Sequence, residues 1–181
     1  AYYANTSYFD SQIGALVRTI EEIGQLDNTI FIVTADHGDM LGERGMWYKF
    51  NPYEASVRVP MIAMGPGLKQ GHCEPALTTL VDLLPTFADI ANGGSYSDYV
   101  APIDGRSLFD LPETGSEDDL IFFEYCGEGV HDPALMCRHR NMKYVRCGAD
   151  PEMLFDLADD PEEQRNLARE PAYACLLNTS P

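Results

Sequence analysis

Thr29-Ile30-Phe31-Ile32-Val33-Thr34-Ala35-Asp36-His37-Gly38-Asp39 opens as an unbroken β-branched and aromatic run and closes on two acids flanking an imidazole and a glycine. A short run without polar alternation, ended by a glycine, predicts a strand buried on both faces. Upstream, Phe9, Ile13, Leu16, Val17, Ile20 and Ile23 fall in one stripe at the helical period. Ser7 stands where it can cap that helix, and Gly24 where the chain can leave it in a left-handed conformation. A helix feeding such a strand through the turn Gln25-Leu26-Asp27-Asn28 is half of an α/β unit with a parallel sheet. Open α/β sheets bind ligands just beyond the carboxyl ends of their strands, so the polar residues from Asp36 onward are candidates from position alone.

Further along, residues 41–51 are rich in glycine and charge and predict an irregular loop. Residues 57–64 read as a strand, with Pro60 at its start or on a sheet edge, closed by Gly65-Pro66-Gly67. Residues 77–91 have helical spacing, with Pro85 in a first turn and Gly93-Gly94 as the stop. After a loop over 96–115, with a turn at Asp104-Gly105-Arg106, strand-like runs lie at 120–125, 142–147 and 153–157. Asp159-Asp160-Pro161-Glu162-Glu163 reads as a helix start with acids in its first turn. The expected division is α/β over 1–112 and a small α+β subdomain with a tail over 113–181.

Among 181 residues, 12 basic side chains face 29 acidic ones, a formal charge of −17. That field repels nucleic acid and anionic membranes, so neither is an expected partner. No apolar run approaches the roughly 20 residues of a membrane span. Ala1-Tyr2-Tyr3-Ala4 has no initiator methionine and no signal-peptide pattern, which suggests a fragment of a longer protein. Cys73, Cys126, Cys137, Cys147 and Cys175 are odd in number and form no C-x-x-C pair. They read as reduced thiols in the cytoplasm, with one or two disulfides left open.

Asp36 and His37 are adjacent, so only a bent loop lets both face one ion, and Gly38 gives that freedom. A carboxylate suits Ca²⁺ or Mg²⁺ and an imidazole softer ions, which leaves the metal open. Alone, Asp-His-Gly is more often a helix cap and a loop histidine than a metal site. Its surroundings change that balance. Leu26-Asp27-Asn28-Thr29, the strand, and Thr34-Ala35-Asp36-His37-Gly38-Asp39-Met40-Leu41-Gly42-Glu43 with Lys49 resemble the C-terminal metal-and-sulfate segment of the sulfatases. Glu54-Ala55-Ser56-Val57-Arg58-Val59-Pro60, Asp82-Leu83-Leu84-Pro85-Thr86 and Asp104-Gly105-Arg106-Ser107-Leu108 continue the resemblance, as does Leu154-Phe155-Asp156-Leu157 with Asp160-Pro161 and Asn166-Leu167. Gly45-Met46-Trp47-Tyr48-Lys49 and Glu124-Tyr125-Cys126-Gly127-Glu128-Gly129 are most similar to the choline-sulfatase branch.

The resemblance implies the C-terminal part of an alkaline-phosphatase-like sheet sandwiched by helices, and hydrolysis of a small-molecule sulfate ester such as choline sulfate. It further implies a divalent cation, Ca²⁺ before Mg²⁺ or Mn²⁺, with Asp36 and His37 as two of its ligands. Lys49 would neutralise charge on the sulfuryl oxygens, where a lysine outside such a motif would be a solvated loop residue. The formylglycine nucleophile is expected upstream of this chain, because Cys73-Glu74-Pro75-Ala76-Leu77 has leucine where the modification signal requires arginine. The remaining aspartate ligands and basic sulfate ligands are also expected upstream, so the chain alone would be inactive.

For a quaternary ammonium, an acid or aromatic cage is needed; Glu128 is the first candidate and Glu124 the second, each with a solvated surface acid as its alternative. Arg58 reads as an ion-pair partner, and His72, His131 and His139 as surface or loop histidines. Trp47 and Tyr48 either line the pocket or pack the loop. Two other readings compete: a phosphonate or phosphodiester hydrolase of the same superfamily, and a non-catalytic oligomerisation fragment, since a homo-oligomer is expected.

Overall fold

The computed structural model describes residues 1–94, 99, 101–127, 131–148 and 150–177. Its contacts divide the chain into two units, Ala1–Ala35 with Val59–Cys73 and Asp36–Arg58 with Glu74–Pro181.

The first unit begins with α1 (Tyr2–Glu22). Ser7 lies inside this helix rather than at its cap, its Oγ donating to the Tyr3 carbonyl at 3.1 Å, because the helical backbone is already competent from Tyr2. The C-terminal end follows the sequence expectation. Gly24 takes φ 70°, its N–H bonds to Glu21 O, and the Gln25 N–H bonds to Ile20 O, which closes the last turn. In the apolar stripe of α1, Ile13, Val17 and Ile20 are half-buried, while Phe9 at 55% and Leu16 at 62% are exposed.

Strand β1 (Phe31–Thr34) is half-buried along its length rather than buried on both faces. Its partner within this chain also differs from expectation: the pairing is antiparallel, not parallel. The chain returns at Pro60, whose carbonyl accepts the Thr34 hydroxyl at 2.7 Å. Proline has no N–H to give to a ladder, so the partner strand starts one residue later. Gly65, which ends that strand at φ 146°, admits no Cβ, since one would lie 2.7 Å from Thr29 O and Ile30 Cα.

The second unit starts with β2 (Met40–Leu41) and β3 (Trp47–Tyr48), an antiparallel hairpin where an irregular loop was expected. Two-residue strands lie below any readable period. What builds the hairpin is burial of Met40 and the left-handed Gly42 (φ 119°), whose N–H bonds to Met46 O at 3.0 Å. A single helical turn, α2 (Glu54–Val57), follows and occupies the start of the run read as strand. The strand of the first unit that pairs β1 is β4 (Met61–Met64).

Helix α3 (Leu83–Asn92) follows a 3-10 turn capped by Thr79 and Asp82, holds Pro85 in its first turn, and stops at Gly93 (φ 73°). Asp82, nearly fully buried, also accepts the Arg106 N–H at 3.0 Å and so fixes the Asp104-Gly105-Arg106 turn.

Strands β5 (Leu120–Tyr125), β6 (Ala134–His139), β7 (Met142–Cys147) and β8 (Met153–Asp156) form one antiparallel meander around buried Met136, Val145, Leu154 and Phe155. The sequence reading had three of these strands and missed β6. The expected helix at 159–163 is a turn. Asp160 accepts the N–H groups of Arg165 at 2.7 Å and Gln164 at 2.9 Å, a side-chain alternative to helix bonding. These bonds, Arg165 first, hold its carboxyl below the usual carboxylate range. Glu163 at φ 56° ends any helical continuation. The last element is α4 (Ala174–Leu177).

All five cysteines are free thiols. No helix among the described residues is long and apolar enough to cross a membrane.

Candidate metal centre

Asp36, His37 and Lys49 meet at one point in the second unit. Lys49 Nζ lies 2.6 Å from His37 Nε2, and Asp36 Oδ2 lies 3.3 Å from the same nitrogen. An ammonium has only donors, so Nε2 must be the acceptor. Nδ1 then carries the ring proton and gives it to the Gly38 carbonyl at 2.7 Å. A histidine whose outer nitrogen is tied to a backbone carbonyl, leaving Nε2 with a lone pair, is in the state in which histidines bind metals. Asp36 Oδ1 accepts the His37 N–H at 3.0 Å, and its side chain is 85% exposed, so the carboxylate can still give a lone pair to an ion.

Two lone-pair donors side by side, the imidazole already facing the Lys49 ammonium, fit a divalent cation as part of its shell. No group of three or more His, Cys, Asp or Glu ligands occurs among the described residues. A Ca²⁺ shell takes 6–8 oxygen ligands, so the larger share must come from elsewhere. Asp36 and His37 would hold their portion.

The loop owes its shape to α2. The Gly38 N–H donates to Ser56 O at 2.7 Å, and a Cβ on Gly38 would lie 2.1 Å from Ala55 O. Glycine here is a matter of space, not of φ. Gly38→Ala is expected to cost about 2 kcal/mol or more by overpacking, read by the denaturant midpoint.

Lys49 is held between two residues in left-handed conformations, Tyr48 (φ 70°) and Phe50 (φ 75°). Such backbone costs of order 1–3 kcal/mol per residue and persists only where the surroundings fix it. Phe50 was missed in the sequence; its ring lies 5.5 Å from Lys49 Nζ and 5.9 Å from the Tyr125 ring centroid. Asn51 was also missed. Its Oδ1 accepts the Tyr53 N–H at 3.1 Å and its Nδ2 reaches Lys49 O at 3.5 Å, which ties the lysine to the start of α2.

Trp47 and Tyr48 are exposed, at 63% and 72%, rather than packing the loop. Glu128 lies outside the described residues. Glu124 is exposed on β5 and accepts the Cys126 thiol at 3.6 Å; this contact acts with burial, the larger effect, to push the thiol up. Arg58, His72 and His131 are exposed. His139 departs from a surface reading: it is half-buried on β6, with Nδ1 3.1 Å from Asp119 O.

The family model for the sulfatases matches residues 1–93. The chain belongs to the sulfatase family. It is 42% identical to a choline-sulfatase of Rhizobium meliloti over 172 residues, covering 94% of this chain and 33% of that protein. It is 34% identical to arylsulfatase K of Mus musculus, covering 93% of this chain and 32% of that protein. Among solved structures, a phosphonate monoester hydrolase from Silicibacter pomeroyi is similar at a TM-score of 0.76 and 34% identity, covering 93% of this chain and 36% of that one. The chain spans about a third of the length of the curated relatives it matches. Its fold is the C-terminal part of the alkaline-phosphatase-like α/β fold of the sulfatases.

Proposed function

We propose that the longer protein containing this chain hydrolyses a sulfate monoester, and that the ester is choline sulfate. The convergence of Asp36 Oδ2 and the Lys49 ammonium on His37 Nε2 carries the reading, because sulfate-ester cleavage needs a cation and a positive donor side by side. A divalent cation, best Ca²⁺ given a carboxylate ligand, would supply positive charge toward the nucleophile and a sulfate oxygen. Asp36 and His37 would hold it, with Gly38 O fixing the ring orientation of His37. Lys49 would bind and orient the sulfuryl group and offset its growing negative charge. The formylglycine nucleophile and the remaining ligands would come from outside this chain.

Similarity to the choline-sulfatase along nearly the whole chain supports the choline assignment. The phosphonate monoester hydrolase structure favours a second reading, cleavage of a phosphonate or phosphodiester by the same residues. Assay of the full-length protein against choline sulfate, 4-nitrophenyl sulfate and a phosphonate monoester separates them. The expected order of kcat/KM puts choline sulfate first. An aryl sulfate preference removes choline, a phosphonate preference transfers the protein to the second reading, and turnover of none leaves an assembly role, in keeping with the proposed homo-oligomer. Exposed free thiols at Cys73, Cys126 and Cys175 support a reducing, cytoplasmic setting.

A further inference from the structure

Lys143 is fully buried on β7, an unusual place for an ammonium, and it is matched there by two carboxylates. Its Nζ lies 2.8 Å from Glu54 Oε1 and 2.7 Å from Glu163 Oε1. Arg138 of β6 adds a second cation, Nη1 lying 3.3 Å from Glu54 Oε2. The second oxygen of Glu163 caps α2, accepting the Glu54 N–H at 2.7 Å across a separation of 109 residues. That N–H has no side-chain cap from Tyr53, so the C-terminal segment supplies what the local sequence lacks. Arg44 completes the clamp: its guanidinium lies 4.2 Å from the Tyr53 ring centroid and donates to Glu162 O at 3.2 Å.

The helical turn fixed in this way is the one that carries both halves of the candidate centre. Ser56 O holds the Gly38 N–H beside His37, and the Tyr53 N–H holds Asn51 and through it Lys49. Buried ion pairs often add no net stability over apolar residues of like shape. What they do supply is direction: Glu54 Oε1 and Glu163 Oε2 each accept a hydrogen bond, while Glu163 Oε1 meets Lys143 Nζ as a charge contact alone. We propose that Glu54, Lys143 and Glu163 are positioning residues, which set the separation of the Asp36–His37 pair from Lys49 by fixing α2. The proposal rests on the metal and sulfate reading of that centre and makes the β5–β8 sheet a working part of it.

The test uses the full-length protein, with Ca²⁺ alone as the calorimetric probe and the fastest substrate of the assay above for kcat and KM. Glu163→Gln keeps the shape and removes the charge facing Lys143. Arg138→Gln is the milder second variant, from a partly exposed position. Both are read well below their unfolding midpoints, with Asp36→Ala alongside. Expected is a loss of about tenfold or more in Ca²⁺ affinity and in kcat for Glu163→Gln, the usual range for groups that orient metal ligands, with KM little changed. Arg138→Gln shifts both in the same direction by less, and it decides alone if Glu163→Gln does not fold. If Asp36→Ala removes Ca²⁺ binding while the folded charge variants keep wild-type affinity and kcat, the cluster is structural only and the proposal is overturned. If Asp36→Ala leaves Ca²⁺ affinity intact, the metal reading falls first and takes the proposal with it.

Discussion

Lys49→Ala in the full-length protein is expected to lower kcat by about 10²- to 10³-fold, the loss seen when one preorganised donor to developing charge is removed. The ammonium stands 2.6 Å from His37 Nε2, on a lone pair that a metal ligand would give to its ion. On the proposed function it would therefore stand beside the cation and not be one of its ligands. Removing it takes away positive charge from the reacting group and a competitor from the imidazole. Ca²⁺ affinity should accordingly hold or rise while kcat collapses. Steady-state kinetics beside calorimetry check this. A fall in kcat of less than about tenfold, or a parallel loss of Ca²⁺ affinity, would show that Lys49 does not act on the sulfuryl group.

Lys143→Met is the second large effect, on stability. The wild-type cluster balances Lys143 and Arg138 against Glu54 and Glu163, and Lys143 itself has no solvent contact. Methionine fills much of the space but leaves Glu163 buried without its cation and half-buried Glu54 with Arg138 alone. Breaking a buried pair from one side costs about 3–5 kcal/mol, since the remaining charge has no water to turn to. The urea midpoint should fall accordingly with the slope unchanged. By contrast, the exposed Arg165–Glu170 pair contributes at most about 1 kcal/mol despite its 2.5 Å contact, because water screens it. A loss below about 1 kcal/mol for Lys143→Met would mean that the carboxylates reach solvent or another cation.

Much of this was legible in the sequence where periodicity is strong. The stripe of α1, the apolar run of β1 and the strands β5, β7 and β8 announce themselves. β6 does not, because Ala134-Leu135-Met136-Cys137-Arg138-His139 has no β-branched or aromatic residue, and pairing on both sides makes it a strand. The antiparallel partner of β1 was beyond local reading, since direction depends on where the chain re-enters after residues 36–58. Asp36, His37 and Lys49 were legible only through the resemblance of the surrounding segments to the sulfatases, since Asp-His-Gly alone is a weak motif. The network behind them was not, because its members lie on four distant segments. One signal was present: Lys143 shares the inward register of β7 with Val145, and a lysine at a position the alternation reserves for apolar groups asks for a buried partner.

The cap that Glu163 places on α2 also carries a statement about time. A chain emerging from the ribosome presents Asp36, His37, Lys49 and Glu54 long before residue 163 exists. Loop closure across so many residues is slow and comes late. Until then α2 has no acceptor for its first N–H and Lys143 has only half of its counter-charge. The loop bearing the proposed metal ligands would thus stay loose until then. It would set only once residue 163 has been made and has reached α2.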